Sequence, residues 1–376
     1  MNFQPVTDFL DAVDETFGVP ACECEIWMDH RPLYRHTAGW LDRERTVPLR
    51  GGEWYWIYSC TKLMTMTAAM QLVEARKLRL DDPVCRYLPE YAHPTVRDGN
   101  TLRPAHTVLT VRHLMTMTGG FHYNQSCPAI VQTRAESDNR ATTREMIRAL
   151  ASEPLDFDPG THFQYSLCHD VMGAVIEAAS GERFSDYIQA HIAAPLGISG
   201  ITFHPGAEEM ARMPAQWCYH DQKQIIFQVE RDNTHRLTEC YDSGGAGICC
   251  RAEDYIPFLD ALACGGVGAN GARILRPESV ALLRTNQLTG VPMADYHRTM
   301  KLPIEGYGLG MRVRLGEDGV IPPGEFGWDG AAGANASIEP KRRLSVFYVQ
   351  HVLNYLPNYA DLHPRLMHTI YRCLDQ

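Results

Sequence analysis

A serine and a lysine three residues apart, Ser59 and Lys62, are the side chains of this sequence best suited to covalent chemistry. At this spacing both side chains lie on one face of the first turn of a helix. The lysine amine can then accept the proton of the serine hydroxyl, provided that its surroundings keep the amine neutral. The pattern alone is not specific, because about one chance match is expected in a chain of this length. A plain helix N-cap is the alternative interpretation of Ser59.

Two further stretches contain residues that could complete such a site. Tyr165 lies just before a helical pattern, where its phenol could point into a cleft; alternatively it is a buried aromatic residue with a hydrogen-bonded hydroxyl. Residues 326–333 read Phe-Gly-Trp-Asp-Gly-Ala-Ala-Gly, and their small side chains permit close approach of the backbone to a ligand. The alternative for this stretch is a β-bulge or a tight turn.

The elements around Ser59 follow from the pattern of apolar residues. Residues 21–28 begin with a period of two, which predicts a strand with one buried face, and residues 33–39 predict its antiparallel partner. The aromatic residues 54–58 lead to Ser59, and apolar residues at spacings of three and four then predict a helix to about Arg76. Ser59 is therefore expected at a strand-to-helix junction.

The rest of the chain predicts helices in its middle and strands near its end. Residues 121–160 are polar and end in an Asp-Pro-Gly turn. Helical patterns cover 109–120, 171–178, 184–192, 255–263 and 364–374, and strand patterns cover 224–229, 307–315 and 344–349. This order predicts an α+β fold, an antiparallel sheet built from both chain ends with helices around it. We expect one discontinuous sheet domain (1–78 plus 241–376), a mainly helical domain (79–240), and the active site between them.

Composition narrows the classes of function. The 376 residues carry a net charge of −10, which argues against nucleic acid or an anionic membrane as a partner and favours small-molecule substrates. The first ten residues show no secretory signal, so we expect a cytoplasmic protein whose twelve cysteines are reduced. Cysteine and histidine spacings match no common zinc motif. Residues 266–271 match G-x-G-x-x-G but follow a helical stretch, so they predict a loop at a helix end.

Taken together, these stretches resemble the serine β-lactamase and penicillin-recognising superfamily. The likeness is to the class C β-lactamase branch, which includes the family VIII carboxylesterases. It extends over nearly the whole chain and rests on motif-like blocks in family order: 58–62 (S-x-x-K), 77–89, 109–120, 163–173 (the Y-x-N region), 195–197, 244–247 and 328–330. The resemblance implies the β-lactamase/transpeptidase-like fold and needs no metal or cofactor.

The resemblance also implies roles for individual residues. Ser59 would be the acylated nucleophile, Lys62 its proton acceptor, and Tyr165 the base that relays the proton and activates water. The backbone N–H groups of Ser59 and Ala331 would form the oxyanion hole. Trp328, Asp329 and Gly330 would line the substrate site, together with Leu167.

Two positions depart from the β-lactamase pattern. Leu167 stands where β-lactamases have the asparagine of Y-x-N, and Trp328 where they have the lysine of K-T-G. Losing an amide and a cation predicts a more apolar pocket that is less selective for anions. Both changes resemble the esterase branch.

Our hypothesis from the sequence is a serine hydrolase of the carboxylesterase type that acts on small-molecule esters. Within the same fold, the alternatives are an acyltransferase, a β-lactamase, or a peptidase or amidase for D-amino-acid compounds. A binding or scaffold protein without turnover is a further alternative, although intact Ser59, Lys62 and Tyr165 argue against it. The sequence does not predict the acyl group, the alcohol or the oligomeric state.

Overall fold

The computed structural model describes residues 1–375. Its strands are β1 (Ala21–Met28), β2 (Arg31–Gly39), β3 (Trp54–Trp56), β4 (Thr95–Asp98), β5 (Thr101–Pro104), β6 (Ile201–Thr202), β7 (Gln216–His220), β8 (Ile225–Val229), β9 (Cys249–Arg251), β10 (Glu305–Tyr307), β11 (Arg312–Arg314), β12 (Phe326–Asp329), β13 (Asn335–Glu339), β14 (Leu344–Gln350) and β15 (Val352–Leu353). Its α-helices are α1 (Gln4–Asp11), α2 (Val13–Phe17), α3 (Thr61–Glu74), α4 (Val111–Met115), α5 (Pro128–Glu136), α6 (Thr143–Leu150), α7 (Cys168–Ser180), α8 (Phe184–Ile188), α9 (Ala207–Ala211), α10 (Ala252–Ala263), α11 (Pro277–Leu283), α12 (Gly290–Met300) and α13 (His363–Leu374).

The main sheet takes its strands from both ends of the chain, as the sequence predicts. Its order is β10-β11-β12-β13-β14-β1-β2, and every neighbouring pair is antiparallel. The hairpin of β1 and β2 lies at one edge, and β12, which carries Trp328, lies on the other side of the centre. This architecture confirms the predicted α+β fold.

Both faces of the sheet are covered, and strand β14 shows this most clearly. Val346 and Tyr348 pack into an apolar cluster with α1 and α13, whereas Phe347 and Val349 pack into a larger cluster on the other face, which includes α10. Alternate residues of a strand point to opposite faces, so a strand covered on both sides is apolar throughout.

The prediction of one buried face for β1 is therefore wrong. Cys22 and Cys24 face the first cluster, but Glu23 and Glu25 on the other face are buried as well. Arg35 from β2 binds Glu23, with 2.8 Å between Nη2 and Oε1, and its Nε lies 3.3 Å from Glu25. Burial raises the pKa of Glu23 to about 8, although Arg35 opposes that shift. The alternation of cysteine and glutamate hid a second buried face because the charged residues are paired inside it.

Other predicted elements change in number or length. Residues 307–315 predicted one strand but form the end of β10, a turn and β11; Gly310 in that turn has φ 90°. Residues 121–160 contain α5 and α6, and a reciprocal capping box of Thr142 and Glu145 starts α6. Helix α3 ends at Glu74, close to its predicted end, but it is buried on most of its surface instead of along one stripe.

The boundaries of the two predicted domains remain a prediction.

All twelve cysteines lie within residues 1–375 and are free thiols, most of them buried. In the same part of the chain, every helix is too short or too polar to cross a bilayer.

Candidate active site

Ser59 lies at the junction between β3 and α3, in a single 3₁₀ turn formed by Tyr58–Cys60. Tyr58 has φ 46°, a left-handed conformation that is unfavourable for a bulky residue, and its hydroxyl donates to Gln216 Oε1 at 2.7 Å. Such backbone strain persists only where surrounding contacts hold it, and it is common at functional sites. Ser59 makes no capping hydrogen bond, so the N-cap interpretation of this residue is wrong.

Lys62 lies one turn further into the structure, with no exposed surface. Its Nζ donates to Ser59 Oγ at 3.2 Å and to the carbonyl oxygen of Gly245 at 2.7 Å. The i, i+3 spacing read from the sequence therefore places the amine against the hydroxyl, as predicted. Gly245, in the segment between β8 and β9, fixes the other side of the amine.

Tyr165 approaches Ser59 from the turn that precedes α7. Its hydroxyl donates to Ser59 Oγ at 2.7 Å, and Trp328 Nε1–H donates to the same tyrosine oxygen at 3.2 Å. The ring also lies against the amine, with Lys62 Nζ 4.7 Å from its centroid. Ser59, Lys62, Tyr165 and Trp328, which the sequence places in three separate blocks, are thus brought into one hydrogen-bonded group.

An aromatic stack surrounds the tyrosine. The Tyr165 ring stacks with Tyr123 (centroids 5.5 Å apart, planes at 9°) and with Trp328 (5.6 Å, 20°). His235 meets the edge of Tyr123 at 5.6 Å, and Gln125 bonds its Nδ1 at 2.6 Å. Burial lowers the pKa of His235 to about 4, although the negative charge of Asp170 opposes that shift, so the ring is neutral near pH 7.

A buried carboxylate organises the opposite, polar side. Asp170, in the first turn of α7, accepts hydrogen bonds on Oδ1 from Tyr241 (2.9 Å), Ser243 (2.6 Å) and the backbone N–H of Gly245 (3.4 Å). These bonds hold the segment 243–245 so that the Gly245 carbonyl faces Lys62. A Cβ added to Gly245 would lie 2.5 Å from Asp170 Oδ2 and 3.5 Å from Lys62 Nζ, so a glycine is needed here for space.

The turn between β12 and β13 brings Ala331 to the site. A Cβ on Gly330 would lie 2.4 Å from the carbonyl oxygen of Ile57, which shows how closely this turn approaches the segment before Ser59. The hydroxyl of Tyr359 lies 2.9 Å from the Gly330 carbonyl and 3.0 Å from that of Ala331, and it orients both peptide groups. The Ala331 N–H as an oxyanion donor remains a prediction.

Asp329 and Leu167 both contact other residues of the protein, and their predicted binding of substrate remains a prediction. Asp329 Oδ1 accepts a hydrogen bond from Asn335 at 2.7 Å and lies 3.2 Å from His363 Nδ1. Burial opposes ionisation of Asp329, but these contacts and the charge of Arg312 lower its pKa to about 2. Leu167 is 1% exposed and belongs to the main apolar cluster. Trp328 is 3% exposed, and its indole contacts Tyr165.

The sequence did not identify Tyr123, His235 or Asp170. Tyr123 and His235 come from irregular segments that no periodicity describes. Asp170 carried a weak signal, since an acidic residue at the start of a helix has an ordinary electrostatic explanation. Two groups of His, Cys, Asp and Glu side chains in residues 1–375 could hold a metal ion, and neither includes Asp170 or His235.

Comparison with known proteins supports the resemblance inferred from the motifs. A family model described as Beta-lactamase matches residues 12–368. Esterase EstB from Burkholderia gladioli is 33% identical over 253 residues, 61% of this chain and 62% of that protein. Lovastatin esterase from Penicillium rubens is 27% identical over 342 residues, 84% of each chain. Among solved structures, EstCE1, a hydrolase with promiscuous acyltransferase activity, has a TM-score of 0.79 at 24% identity and covers 98% of both chains.

The match of the family model extends over nearly the whole chain, and the structural likeness covers the same extent. The sequence relatives include proteins named as esterases. The chain belongs to the beta-lactamase family.

Proposed function

We propose that the protein is a serine hydrolase of small carboxylic esters that forms an acyl-enzyme on Ser59. The observation that carries this proposal is the placement of Lys62 Nζ at 3.2 Å and Tyr165 Oη at 2.7 Å from the Ser59 hydroxyl oxygen. A nucleophile with two proton-transfer groups within hydrogen-bond reach is the arrangement that acyl transfer requires.

The first half of the reaction acylates the serine. Ser59 Oγ attacks the ester carbonyl carbon while its proton passes to Lys62. The N–H groups of Ser59 and Ala331 stabilise the oxyanion, and such donors typically contribute about 3 kcal/mol each. The tetrahedral intermediate then expels the alkoxide, which takes a proton from Tyr165 and leaves as the alcohol.

The second half releases the acyl group. Tyr165 removes a proton from water, the hydroxide attacks the acyl carbonyl, and Ser59 leaves with a proton returned by way of Lys62. The Trp328 N–H supports this role, because a hydrogen bond donated to the tyrosine oxygen favours its negatively charged form.

Esters are favoured over β-lactams because of Trp328. In the motif resemblance Trp328 stands in place of the K-T-G lysine, and its one N–H is directed at Tyr165, so the residue offers no cation to a substrate carboxylate. A reducing compartment such as the cytoplasm fits twelve free cysteines.

The test is turnover and intact mass with p-nitrophenyl acetate and butyrate, nitrocefin and a D-alanyl peptide. We expect hydrolysis of the nitrophenyl esters and a transient acyl adduct that maps to Ser59. Ser59→Ala should abolish both, whereas Ser152→Ala, which changes an exposed serine after α6, should change neither. Full activity of Ser59→Ala would overturn the mechanism, and no adduct with any ester would favour a binding protein without turnover.

Acyl transfer to an alcohol is the second candidate, since EstCE1 has this activity by its description and the same fold. Both reactions share the acyl-enzyme and differ in what attacks it. Adding primary alcohols to the assay distinguishes them. A transferase forms the new ester and releases nitrophenol faster, whereas a strict hydrolase forms only the free acid.

A further inference from the structure

Ligand-type side chains also meet outside the Ser59 site, where the turn between β1 and β2 contacts the end of α10. His30 Nδ1 lies 2.7 Å from Asp260 Oδ2, and the His30 backbone N–H donates to Asp260 Oδ1 at 3.1 Å. Cys264 Sγ lies 3.9 Å from Asp260 Oδ1. One potential ligand atom from each residue lies within 4.8 Å of the other two.

The helix arranges two of these ligands and favours a cation beside them. Asp260 and Cys264 are four residues apart, so their side chains lie one above the other on the same face of α10. Cys264 is the C-cap of this helix, where carbonyl groups without helical partners carry partial negative charge. The spacing of the two side chains and the position of the helix end are independent features. Both place negative potential beside Asp260 and Cys264.

The carboxylate of the cluster is buried, and its hydrogen bonds are to His30. The Asp260 side chain has no exposed surface, and both of its oxygens contact His30, Oδ2 at the ring and Oδ1 at the backbone N–H. A divalent cation at this point would stabilise the carboxylate and a Cys264 thiolate together.

We propose that His30, Asp260 and Cys264 bind one Zn²⁺ ion, with the fourth position open to water. Zn²⁺ accepts nitrogen, oxygen and thiolate ligands in a tetrahedral arrangement, which this mixed set supplies. The ion would lie between Nδ1 and Oδ2, the Nδ1 proton would move to Nε2, and the thiol proton would leave to solvent. The Asp260 carboxylate is already oriented by the His30 backbone N–H, as ligands commonly are by an outer shell.

A second group of ligand-type residues, His122, Cys127 and Glu153, is less suited to a metal. The Asn124 backbone N–H donates to His122 Nδ1 at 3.2 Å, so the ring proton lies on Nε2 and neither nitrogen has a free lone pair. Metal binding there would cost a backbone hydrogen bond, whereas at His30 the ion replaces a shared proton. Cys127 therefore provides a matched control.

The proposed site has a structural consequence independent of ester hydrolysis. It would tie the hairpin of β1 and β2 to α10, which packs over that part of the sheet. Spacing rules cannot find it, because His30 is more than two hundred residues from its partners in the chain.

The test is metal binding by the full-length protein after chelator treatment. Zn²⁺ is titrated against a chromophoric competitor, Co²⁺ serves as a spectroscopic probe, and melting temperature is recorded with and without Zn²⁺. We expect one Zn²⁺ per chain, a thiolate-to-cobalt charge-transfer band and a higher melting temperature in Zn²⁺. Cys264→Ser removes a ligand, so it should abolish the band. It should also weaken Zn²⁺ binding by more than about tenfold, because changes to residues that only orient the ligands already cause a loss of about that size.

The control variants make each outcome decisive. Cys127→Ser and Cys85→Ser should keep the band and the stoichiometry, and Ser59→Ala should bind Zn²⁺ as the wild type does. No Zn²⁺ bound by the wild type, a band that survives Cys264→Ser, or a band lost in Cys127→Ser would each overturn the assignment. Cys264→Ser replaces only a sulfur atom by oxygen, so we expect the variant to fold. Circular dichroism shows whether it does.

Discussion

The polar and aromatic sides of the Ser59 site are held in place by different kinds of contact. On the polar side, Lys62 Nζ donates to the Gly245 carbonyl, and the N–H of Gly245 donates in turn to the buried Asp170 carboxylate. On the aromatic side, the Tyr165 ring stacks with both Tyr123 and Trp328. A hydrogen bond fixes the distance between two atoms, whereas stacking fixes the angle between two ring planes and still allows the rings to slide past each other. We infer that contacts on the polar side determine whether proton transfer occurs, and that contacts on the aromatic side adjust its rate.

Tyr165 belongs to both sides, so its hydroxyl carries the largest effect after Ser59 itself. Tyr165→Phe keeps the ring in the stack and removes only the group that bonds Ser59. Because proton transfer by a positioned side chain contributes about 10²–10⁴-fold, we expect a loss of that size in kcat/KM. Steady-state kinetics with p-nitrophenyl butyrate measures it, and an unchanged melting temperature shows that the stack persists. A loss smaller than tenfold would remove Tyr165 from the proton path.

The polar side is tested by adding one methyl group. Gly245→Ala would place a Cβ 2.5 Å from Asp170 Oδ2, so the segment or the carboxylate must move and Lys62 loses its fixed partner. Misplacing a catalytic group by about 1 Å costs about 10²-fold, and we expect a fall of that order, mainly in kcat.

Gly173→Ala is the matched control for this substitution. Gly173 lies on α7, and its nearest neighbour to an added Cβ is 3.7 Å away, an ordinary contact distance. Alanine should therefore leave activity unchanged and stabilise the helix slightly. Equal activity of the two alanine variants would show that the polar side does not depend on the placement of Gly245.

On the aromatic side, Trp328→Phe keeps a ring and removes the N–H that bonds Tyr165. One hydrogen bond contributes about 1 kcal/mol, so we expect a loss of up to about tenfold in kcat/KM. In the Tyr165→Phe background the same substitution should have no further effect, because the partner oxygen is already absent. Additive losses in the double variant would mean that Trp328 acts on the substrate instead, as the sequence motif predicted.

The same contrast explains what the sequence could predict. Ser59 and Lys62 share one helical turn, so the geometry of the helix is enough to place the amine beside the hydroxyl. The order of strand and helix patterns likewise sufficed for the α+β fold. Helix α5 shows no clear pattern because only Ile130 of it is buried, whereas α6 has a capping box and one apolar face, signals that the polar composition of residues 121–160 obscured.

Residues joined only by tertiary contacts escaped prediction. Tyr123 and His235 lie in irregular segments, and nothing local indicates that they meet over Tyr165. Leu167 illustrates a different difficulty: its motif position predicts a place beside the substrate, which remains a prediction, whereas its burial in the main apolar cluster becomes visible only in the folded chain. Motif position identifies a residue, whereas its surroundings decide what it contacts.

His235 allows the aromatic side to be tested through pH, with the smallest expected effect on rate. Its pKa falls from 6.5 to about 4 because burial disfavours the charged ring. Between these values the unfolded chain binds a proton that the folded chain does not. The contribution of His235 to stability is therefore complete above pH 6.5 and decreases as pH falls towards 4.

We expect the imidazole signal of His235, followed by NMR and assigned with His235→Gln, to titrate near pH 4. Plots of unfolding free energy against pH should be less steep for His235→Gln than for the wild type between pH 6.5 and 4, while the rate of ester hydrolysis at pH 7 changes little. Titration near 6.5 would show that the ring is open to water. The aromatic side of the site would then be less tightly packed than the polar side. The difference between the two sides would be larger than the difference between stacking and hydrogen bonding alone implies.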